Sequence, residues 1–349
     1  MLRFRMTARV MLLLPAICLA VYSNSFAQSP QDVRADFLKL IDRPRVPPAA
    51  KLTPMPAPPR MVQFHFTFAV DAQTRVPGIL LKDVTFTGRR PVVIALHGTG
   101  GSKLDELPLM RILASRGFIA VAIDAPYHGE RCLAGRGTVD YQIAIFKAWR
   151  ELDSHPFYFD TVWDMMRLID YLGTRSDVDP TRIGMYGVSK GGIETYLTAA
   201  IDPRVAVAVP CIGLESFRWA IENNDWQTRI GTIQHAFDAA AHAAKVTTPD
   251  GEFVHEFYDR VCPGIDGEFD GPEMVNLIAP RPMMAINGGS DSHTPLPGLK
   301  LCTDAAEAAY AKYDAADHFV EVIEKHTAHR VNRDAQAAAV RWLVKWLTP

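Results

Sequence analysis

The pentapeptide Gly187-Val188-Ser189-Lys190-Gly191 lies between an apolar run at residues 182–186 and a helix-forming run at residues 192–201. Glycines on both sides of Ser189 permit a sharp, strained turn from a strand into a helix, which leaves the serine Oγ exposed at the end of the strand. A G-x-S-x-G pattern alone is weak, but here both flanking runs have the required type. The sequence therefore predicts a nucleophilic serine rather than an ordinary tight turn.

Runs of β-branched and apolar residues alternate with helix-forming runs on both sides of this turn. Strands buried on both faces by helices have this composition, so the pattern predicts an α/β fold with a doubly wound, mostly parallel sheet. The predicted strands span residues 91–96, 118–123, 182–186, 205–209, 282–287 and 319–323. The predicted helices span residues 104–116, 162–172, 192–200 and 334–347.

The N-terminal residues differ from the rest of the chain. Arginines precede a short apolar run, which small residues follow, so residues 1–27 are predicted to be a signal peptide for secretion or export to the periplasm, cleaved near Ala27. An uncleaved membrane anchor is the alternative, although the run is shorter than the roughly 20 residues that span a bilayer. Residues 28–60 are predicted to be a proline-rich lead-in without strands or helices in its 43–60 segment.

Residues 61–349 are predicted to form one α/β domain. Alternating apolar residues at 62–70 and an apolar run at 76–81 predict antiparallel edge strands. Residues 212–276 interrupt the alternation of strands and helices and are rich in aromatic and charged residues, which predicts an inserted lid or cap. Three of its aromatic residues, Phe217, Trp219 and Trp226, are candidates for substrate binding, with packing inside the cap as the alternative.

Composition excludes several classes of partner. The chain has 349 residues, of which 48% are hydrophobic and 22% charged, and removal of residues 1–27 changes the net charge from −2 to −5. Because acidic and basic residues are interspersed, neither a nucleic-acid-binding surface nor stable membrane insertion after signal removal is predicted. Four cysteines follow the signal, namely Cys132, Cys211, Cys262 and Cys302. A Cys211–Cys262 disulfide is weakly favoured, and unpaired thiols are the alternative.

A serine nucleophile needs a base and an acid that orients the base. Asp291 follows a predicted strand through a glycine-rich loop and is the candidate acid, whereas Asp304 lies in a helix-like stretch. His329 immediately precedes the last helix and is the candidate base, with His326 as the rival. The two histidines form an H-x-x-H pattern, but no third ligand is suitably spaced, so no metal site is predicted.

The reaction also needs donors for an oxyanion. Backbone N–H groups aimed at the developing charge supply this function. The amide of Lys190 comes with the turn at Ser189, and the loop His97-Gly98-Thr99-Gly100-Gly101 supplies a second candidate, the amide of Thr99. A phosphate-binding loop is the competing interpretation, but no dinucleotide-binding or Walker pattern follows.

Five motifs in order carry a family resemblance: H-G-T-G-G from His97, D-A-P-Y-H-G-E-R from Asp124, G-V-S-K-G-G from Gly187, N-G-G-S-D from Asn287, and the terminal histidine region. From residue 91 onward the chain resembles the α/β-hydrolases, in the group of dienelactone hydrolases, acetyl xylan esterases and prolyl oligopeptidases. The resemblance implies a Ser189-Asp291-His329 triad. Dienelactone hydrolases carry cysteine in place of the serine, and prolyl oligopeptidases carry a propeller for which this chain has no room.

The predicted function is therefore that of a secreted or periplasmic serine hydrolase that cleaves carboxylic esters of small molecules through an acyl-enzyme and needs no cofactor. A peptidase of the prolyl oligopeptidase type and a catalytically inert binding module with the same fold are the alternatives. The sequence determines neither the natural ester nor the oligomeric state.

Overall fold

A single sheet of nine strands organises the described part of the chain, which in this computed structural model comprises residues 30–133, 138–152 and 157–348. The predicted signal peptide, residues 1–27, lies outside the described residues. The strands are β1 (Lys51–Met55), β2 (Met61–Ala69), β3 (Arg75–Asp83), β4 (Arg90–Leu96), β5 (Ile119–Ile123), β6 (Val178–Val188), β7 (Val205–Cys211), β8 (Met283–Gly288) and β9 (Phe319–Glu324).

The sheet has the order β1-β2-β3-β5-β4-β6-β7-β8-β9. Strands β4 to β9 are parallel, whereas β1, β2 and β3 pair antiparallel with their neighbours at one edge. The carboxyl ends of β4, β6 and β8 therefore lie at the same edge of the sheet, where loops from distant parts of the chain meet. The predicted α/β fold with a mostly parallel sheet is confirmed.

Helices cover both faces of the sheet. They are α1 (Pro30–Ile41), α2 (Leu107–Ala114), α3 (Thr138–Glu151), α4 (Phe159–Gly173), α5 (Lys190–Ile201), α6 (Phe217–Glu222), α7 (Gln227–Ile230), α8 (Gln234–Ala244), α9 (Gly251–Val261), α10 (Gly271–Asn276), α11 (Leu296–Ala311) and α12 (Arg333–Leu347). Buried residues of α2 and α12 form the core on one face, and those of α1, α3, α4, α5 and α11 contribute to the core on the other. Burial on both faces explains why β4 and β5 are apolar at nearly every position.

The proline-rich segment departs from the sequence prediction, because β1 lies within it. Pro54 pairs with Phe64 of β2. A proline cannot donate to a neighbouring strand, but β1 is at the edge of the sheet, where one side needs no donor. The segment before β1 is also fixed to the domain, since Arg34 of α1 donates a 2.8 Å hydrogen bond to the carbonyl of Ala200 at the end of α5.

Five helices, α6 to α10, follow β7 and precede β8. Their buried aromatic residues belong to the same core as α3 and α5, so this segment packs onto the face of the domain rather than standing apart from it. The division of the chain into a core and an inserted cap at 212–276 stays a prediction.

The cysteines do not form the favoured disulfide. Cys211 and Cys262 are not bonded to each other, and Cys211 belongs to the core on one face of the sheet while Cys262 belongs to the core on the other. Two side chains separated by a sheet cannot reach the short distance that a disulfide needs. In the described part of the chain no helix has the length and apolar character needed to cross a membrane.

We expect Gly191→Ala to lower the free energy of unfolding by about 2–3 kcal/mol or more, because an added Cβ would lie 2.4 Å from the carbonyl oxygen of Leu96. Gly173→Ala is the matched control, since nothing lies within 4 Å of its added Cβ, and we expect it to be neutral or to stabilise by up to about 1 kcal/mol. Urea denaturation of both variants checks this. Equal stability of the two variants would contradict the close approach of α5 to β4.

Candidate active site

The turn at Ser189 joins the end of β6 to the start of α5. Ser189 has φ +58° and ψ −118°, a conformation that residues other than glycine rarely adopt. The surrounding backbone holds it there: the Ser189 amide donates a 2.9 Å hydrogen bond to the carbonyl of Cys211, and an added Cβ on Gly187 would lie 2.0 Å from the carbonyl oxygen of Gly191. The predicted sharp turn is present, with Ser189 bordering a cavity.

The structure brings Ser189, His329 and Asp291 into one chain of hydrogen bonds. The Nε2 atom of His329 lies 2.8 Å from the Oγ of Ser189, and its Nδ1 atom lies 2.9 and 2.8 Å from the two carboxylate oxygens of Asp291. The carboxylate accepts at Nδ1, which fixes the proton on that nitrogen and leaves Nε2 free to accept from the serine hydroxyl. The three predicted residues therefore meet, although 140 residues separate Ser189 from His329.

The loop that carries Asp291 is joined to the loop that carries His329. The amides of Gly289 and Ser290 donate 2.9 Å hydrogen bonds to the carbonyls of Glu324 and Thr327, respectively. These bonds link the segment after β8 to the segment after β9, so the relative position of the two side chains does not depend on their mutual contact alone. His326, the rival base, is exposed and lies in the turn directly after β9 at φ +57°.

The pKa of Asp291 is lower than its ordinary value. Burial by itself would raise this pKa, but the hydrogen bond from His329, its charge, and the 2.8 Å hydrogen bond from the His293 amide more than offset the burial. The carboxyl group is thus held in its ionised form beside the imidazole. A buried carboxylate in this position also stabilises a positive charge on His329.

The loop after β4 forms a tight turn beside Ser189. Gly101 donates to the carbonyl of Gly98 at 3.1 Å, and the Nδ1 of His97 donates to the same carbonyl at 2.8 Å. Because a trans peptide places N–H opposite C=O, fixing the Gly98 carbonyl also fixes the direction of the Thr99 amide. Thr99 and Lys190, the predicted oxyanion donors, line the same small cavity as Ser189 and His329.

His97 is a supporting residue of this turn that the sequence prediction left without a role. Its Nε2 accepts a 3.2 Å hydrogen bond from the Ala125 amide, so the ring joins the loop after β4 to the loop after β5. Burial and the nearby charge of Lys190 lower the pKa of His97 to about 4, so the ring is neutral near pH 7. Asp124 also joins these loops, by accepting from the Lys103 amide at 2.8 Å and from the Glu130 amide at 2.9 Å.

The side chain of Lys190 is buried behind the turn. Its ammonium pairs with the carboxylate of Glu194 one helical turn later and lies 5.6 Å from the centre of the Tyr141 ring. Burial lowers the pKa of Lys190 and raises that of Glu194, and the mutual attraction opposes both changes. Only the backbone of Lys190 is therefore placed to bind an oxyanion.

A cavity of about 580 Å³ opens at Ser189 and His329. Its wall combines apolar groups with polar and charged ones, including Asp105, Glu106, His293, Arg330 and Gln336. A cavity of this size accommodates a small organic molecule.

The three aromatic residues predicted to bind substrate lie elsewhere. The cavities that border Ser189 are not lined by Phe217, Trp219 or Trp226. Phe217 is 1% exposed and packs edge-on against Tyr158 and Tyr258, while Trp226 packs against Phe237. Their positions fit the alternative interpretation, in which the cap uses its aromatic residues for its own packing.

Residues of the segment after β7 do reach the site through contacts that the sequence did not reveal. The buried Arg229 pairs with Glu215, donates to the carbonyl of His293, and donates a 2.9 Å hydrogen bond to Thr294. The His293 ring stands edge-on to the His329 ring at 4.8 Å between centroids. Burial raises the pKa of Glu215 to about 8, although Arg229 opposes the increase. This arrangement supports the loop of Asp291 from the segment between β7 and β8.

A group that could hold a metal ion lies on α9 and the turn after it: His255, Asp259 and Asp266. The Nδ1 of His255 is 2.6 Å from a carboxylate oxygen of Asp266, an ion pair that accounts for the raised pKa of His255. None of the three lines the cavity at Ser189.

Comparison with known proteins gives the family. Residues 87–314 match the family described as "Glucuronyl esterase, fungi", and this range covers more than half of the chain. The chain belongs to the glucuronyl esterase family. It is therefore a carboxylesterase-type hydrolase, and the resemblance to α/β-hydrolase esterases is confirmed.

Two curated relatives show how far the sequence similarity of this glucuronyl esterase family member extends. The "Putative hydrolase YtaP" of Bacillus subtilis is 29% identical over 80% of this chain and 86% of its own length. The "4-O-methyl-glucuronoyl methylesterase 1" of Sodiomyces alcalophilus is 25% identical over 45% of this chain and 31% of its own length.

Solved structures share the fold. Acetyl xylan esterase 1 from Thermoanaerobacterium superposes with a TM-score of 0.65 at 16% identity, covering 91% of this chain and 94% of that one. A glucuronoyl esterase from Solibacter usitatus gives a TM-score of 0.64 at 14% identity, covering 92% of each chain. At these identities the likeness concerns the fold.

We expect the stability difference between the wild type and Asp291→Asn to shrink in acid. Because the folded pKa of Asp291 lies below its ordinary value of 3.8, the ionised carboxylate stabilises the fold fully above that value, and this stabilisation is lost as the pH falls through the folded pKa. Thermal unfolding between about pH 3 and about pH 7 checks this. Asp304→Asn, an exposed aspartate on α11, is the control, and a difference for Asp291→Asn that stays constant into acid would contradict the lowered pKa.

Proposed function

We propose that this protein is a serine esterase in which Ser189 attacks the ester carbonyl, His329 takes the serine proton and delivers it to the leaving alcohol, and Asp291 orients His329. A water molecule, activated by the same imidazole, then releases the acid from the acyl-enzyme. The observation that carries the proposal is the continuous set of hydrogen bonds from Ser189 through His329 to Asp291 at the wall of an open cavity.

The oxyanion of the tetrahedral intermediate is proposed to bind the amides of Thr99 and Lys190. The Lys190 amide begins α5, so it has no acceptor within the helix, and the positive end of the helix dipole favours an anion there. Support for Thr99 comes from the fixed Gly98 carbonyl, which directs the adjoining amide. No metal or cofactor takes part in these steps.

The proposed substrate class is an ester of a sugar or a sugar acid, with alkyl esters of uronic acids as the first candidate. Family membership supports this class, as do relatives named for glucuronoyl ester cleavage. The cavity at Ser189 has both the volume and the polar wall groups that a hydroxylated ring requires.

Export is part of the proposal. Residues 1–27 have the charge and length pattern of a signal peptide, which would place the mature enzyme in the periplasm or outside the cell, where polymeric carbohydrate is accessible.

We expect Ser189→Ala and His329→Ala to lower kcat/KM for p-nitrophenyl acetate by at least about 100-fold, since a general base contributes roughly 10²–10⁴. His326→Ala is the matched control, because this exposed histidine lies on the same loop, and it should retain wild-type kinetics. Loss of activity in His326→Ala with retention in His329→Ala would assign the base to the other histidine. An organophosphonate probe that fails to label Ser189 in folded protein would favour the inert binding module.

A substrate panel tests the proposed class. Methyl esters of uronic acids should give the highest kcat/KM, followed by acetylated xylose, with unsubstituted p-nitrophenyl esters lower and aminoacyl anilides inactive. Preferential cleavage of the anilides would favour the peptidase alternative. A preference for long-chain p-nitrophenyl esters over every sugar ester would exclude the sugar-ester proposal while leaving the serine mechanism intact.

A further inference from the structure

Glu106 is a buried acid at the start of α2 whose side chain borders the cavity that contains Ser189 and His329. It is 8% exposed. Among the described residues, no hydrogen bond or ion pair of its carboxyl group is present. A carboxyl group taken out of water without a partner destabilises the protein, so such groups are rare unless a ligand or a reaction uses them.

Other buried acids near the site differ from Glu106 in this respect. Asp124 pairs with Lys103 at 2.5 Å, Glu194 pairs with Lys190, and Asp291 pairs with His329. Asp105, the acidic neighbour in the same cavity wall, is exposed and accepts a 2.7 Å hydrogen bond from the Ser102 amide. The carboxyl group of Glu106 therefore retains hydrogen-bonding capacity that the protein does not use.

Glu106, whose carboxyl group is unused, borders the same cavity as the candidate nucleophile. Glu106 and Ser189 border one cavity of about 580 Å³, so a molecule that fills this cavity contacts both residues. The ionisable groups that share the wall are Asp105, Tyr186, His293, His329 and Arg330. Burial, together with the charge of Asp105, raises the pKa of Glu106 to about 7. Both the neutral and the ionised carboxyl can accept a hydrogen bond from a hydroxyl group.

We propose that Glu106 is a specificity-determining residue whose carboxyl group binds a hydroxyl group on the sugar ring of the substrate. This inference rests on the proposed function, because it assumes that the cavity receives the ring of a sugar ester. A site built to hydrogen-bond a hydroxyl discriminates against an analogue that lacks it, since the buried polar group then stays unpaired. Glu106 would thus distinguish sugar esters from simple esters at the same nucleophile.

The test uses two esters that differ only in their hydroxyl groups. One is the methyl ester of a methyl glucuronoside, and the other is the methyl ester of 6-methoxytetrahydropyran-2-carboxylic acid, which has the same ring, methoxy group and ester. In Glu106→Leu the ratio of kcat/KM for the first ester to that for the second should fall by about 10- to 100-fold, mainly through a higher KM for the sugar ester. Glu106→Gln, which keeps an acceptor, should lose less.

The control is Glu307→Gln, which removes an exposed carboxylate on α11 outside the cavity and should change the ratio by no more than about twofold. Thermal unfolding gives a second readout, because removal of a buried group without a partner should leave the Tm of Glu106→Leu equal to or higher than that of the wild type. A lower Tm, or equal losses on both esters, would overturn the proposal, since either result would indicate a structural role.

Calorimetric binding separates this proposal from the proposed function. The glucuronoside methyl ester should bind Ser189→Ala, and adding Glu106→Leu should weaken the Kd by about 10- to 100-fold. If the wild type hydrolyses no sugar ester but this difference in Kd is found, the proposed function fails and the Glu106 site stands. If the wild type hydrolyses sugar esters and the two Kd values are equal, the esterase proposal stands and the role of Glu106 is overturned.

Discussion

The close packing of α5 against β4 is the constraint on which the site depends. At Gly191 the helix backbone approaches the carbonyl of Leu96 so closely that an added Cβ would lie 2.4 Å away, and at Gly187 the strand approaches the helix in the same manner. Because strand and helix lie so close together, the chain turns between them only with Ser189 in a strained backbone conformation, at φ +58°. The strain is the means by which an otherwise ordinary serine is placed at the rim of the sheet, beside a histidine and next to amides without acceptors.

The rest of the site is assembled by loops that brace one another. The loop of Asp291 after β8 and the loop of His329 after β9 are joined by backbone hydrogen bonds, and Arg229, from the segment between β7 and β8, supports the loop of Asp291. On the other side of Ser189, His97 holds the turn at Thr99 and connects it to the loop after β5. Each chemical group is therefore positioned by contacts from a neighbouring loop or from the segment between β7 and β8. This support keeps the side chains and amides of four loops within hydrogen-bonding distance of one another.

Buried charges near the site fall into two groups with different consequences. Lys190 with Glu194, Lys103 with Asp124, and Arg229 with Glu215 are paired, so they connect elements of the structure. Glu106 has no such partner and borders the cavity. A paired buried charge is explained by the structure around it, whereas an unpaired one indicates a partner that arrives from solution. This contrast singles out one carboxyl group among several as a determinant of what the esterase accepts.

The sequence alone determined the strands β2 to β9, four of the helices (α2, α4, α5 and α12), the mostly parallel sheet and the residues that meet at Ser189, because each has a local signal. Apolar runs mark β4 to β9, the G-x-S-x-G turn marks the nucleophile, and the order of strand ends places Asp291 and His329 at one edge of the sheet. Only the tertiary structure decided that β1 forms despite Pro54, that Cys211 and Cys262 lie on opposite faces, and that Phe217 packs inward. It also decided that Glu106 borders the cavity without a partner. These features depend on contacts between residues that are far apart in the chain. The spacing and composition of one segment do not predict which distant side chains will surround it.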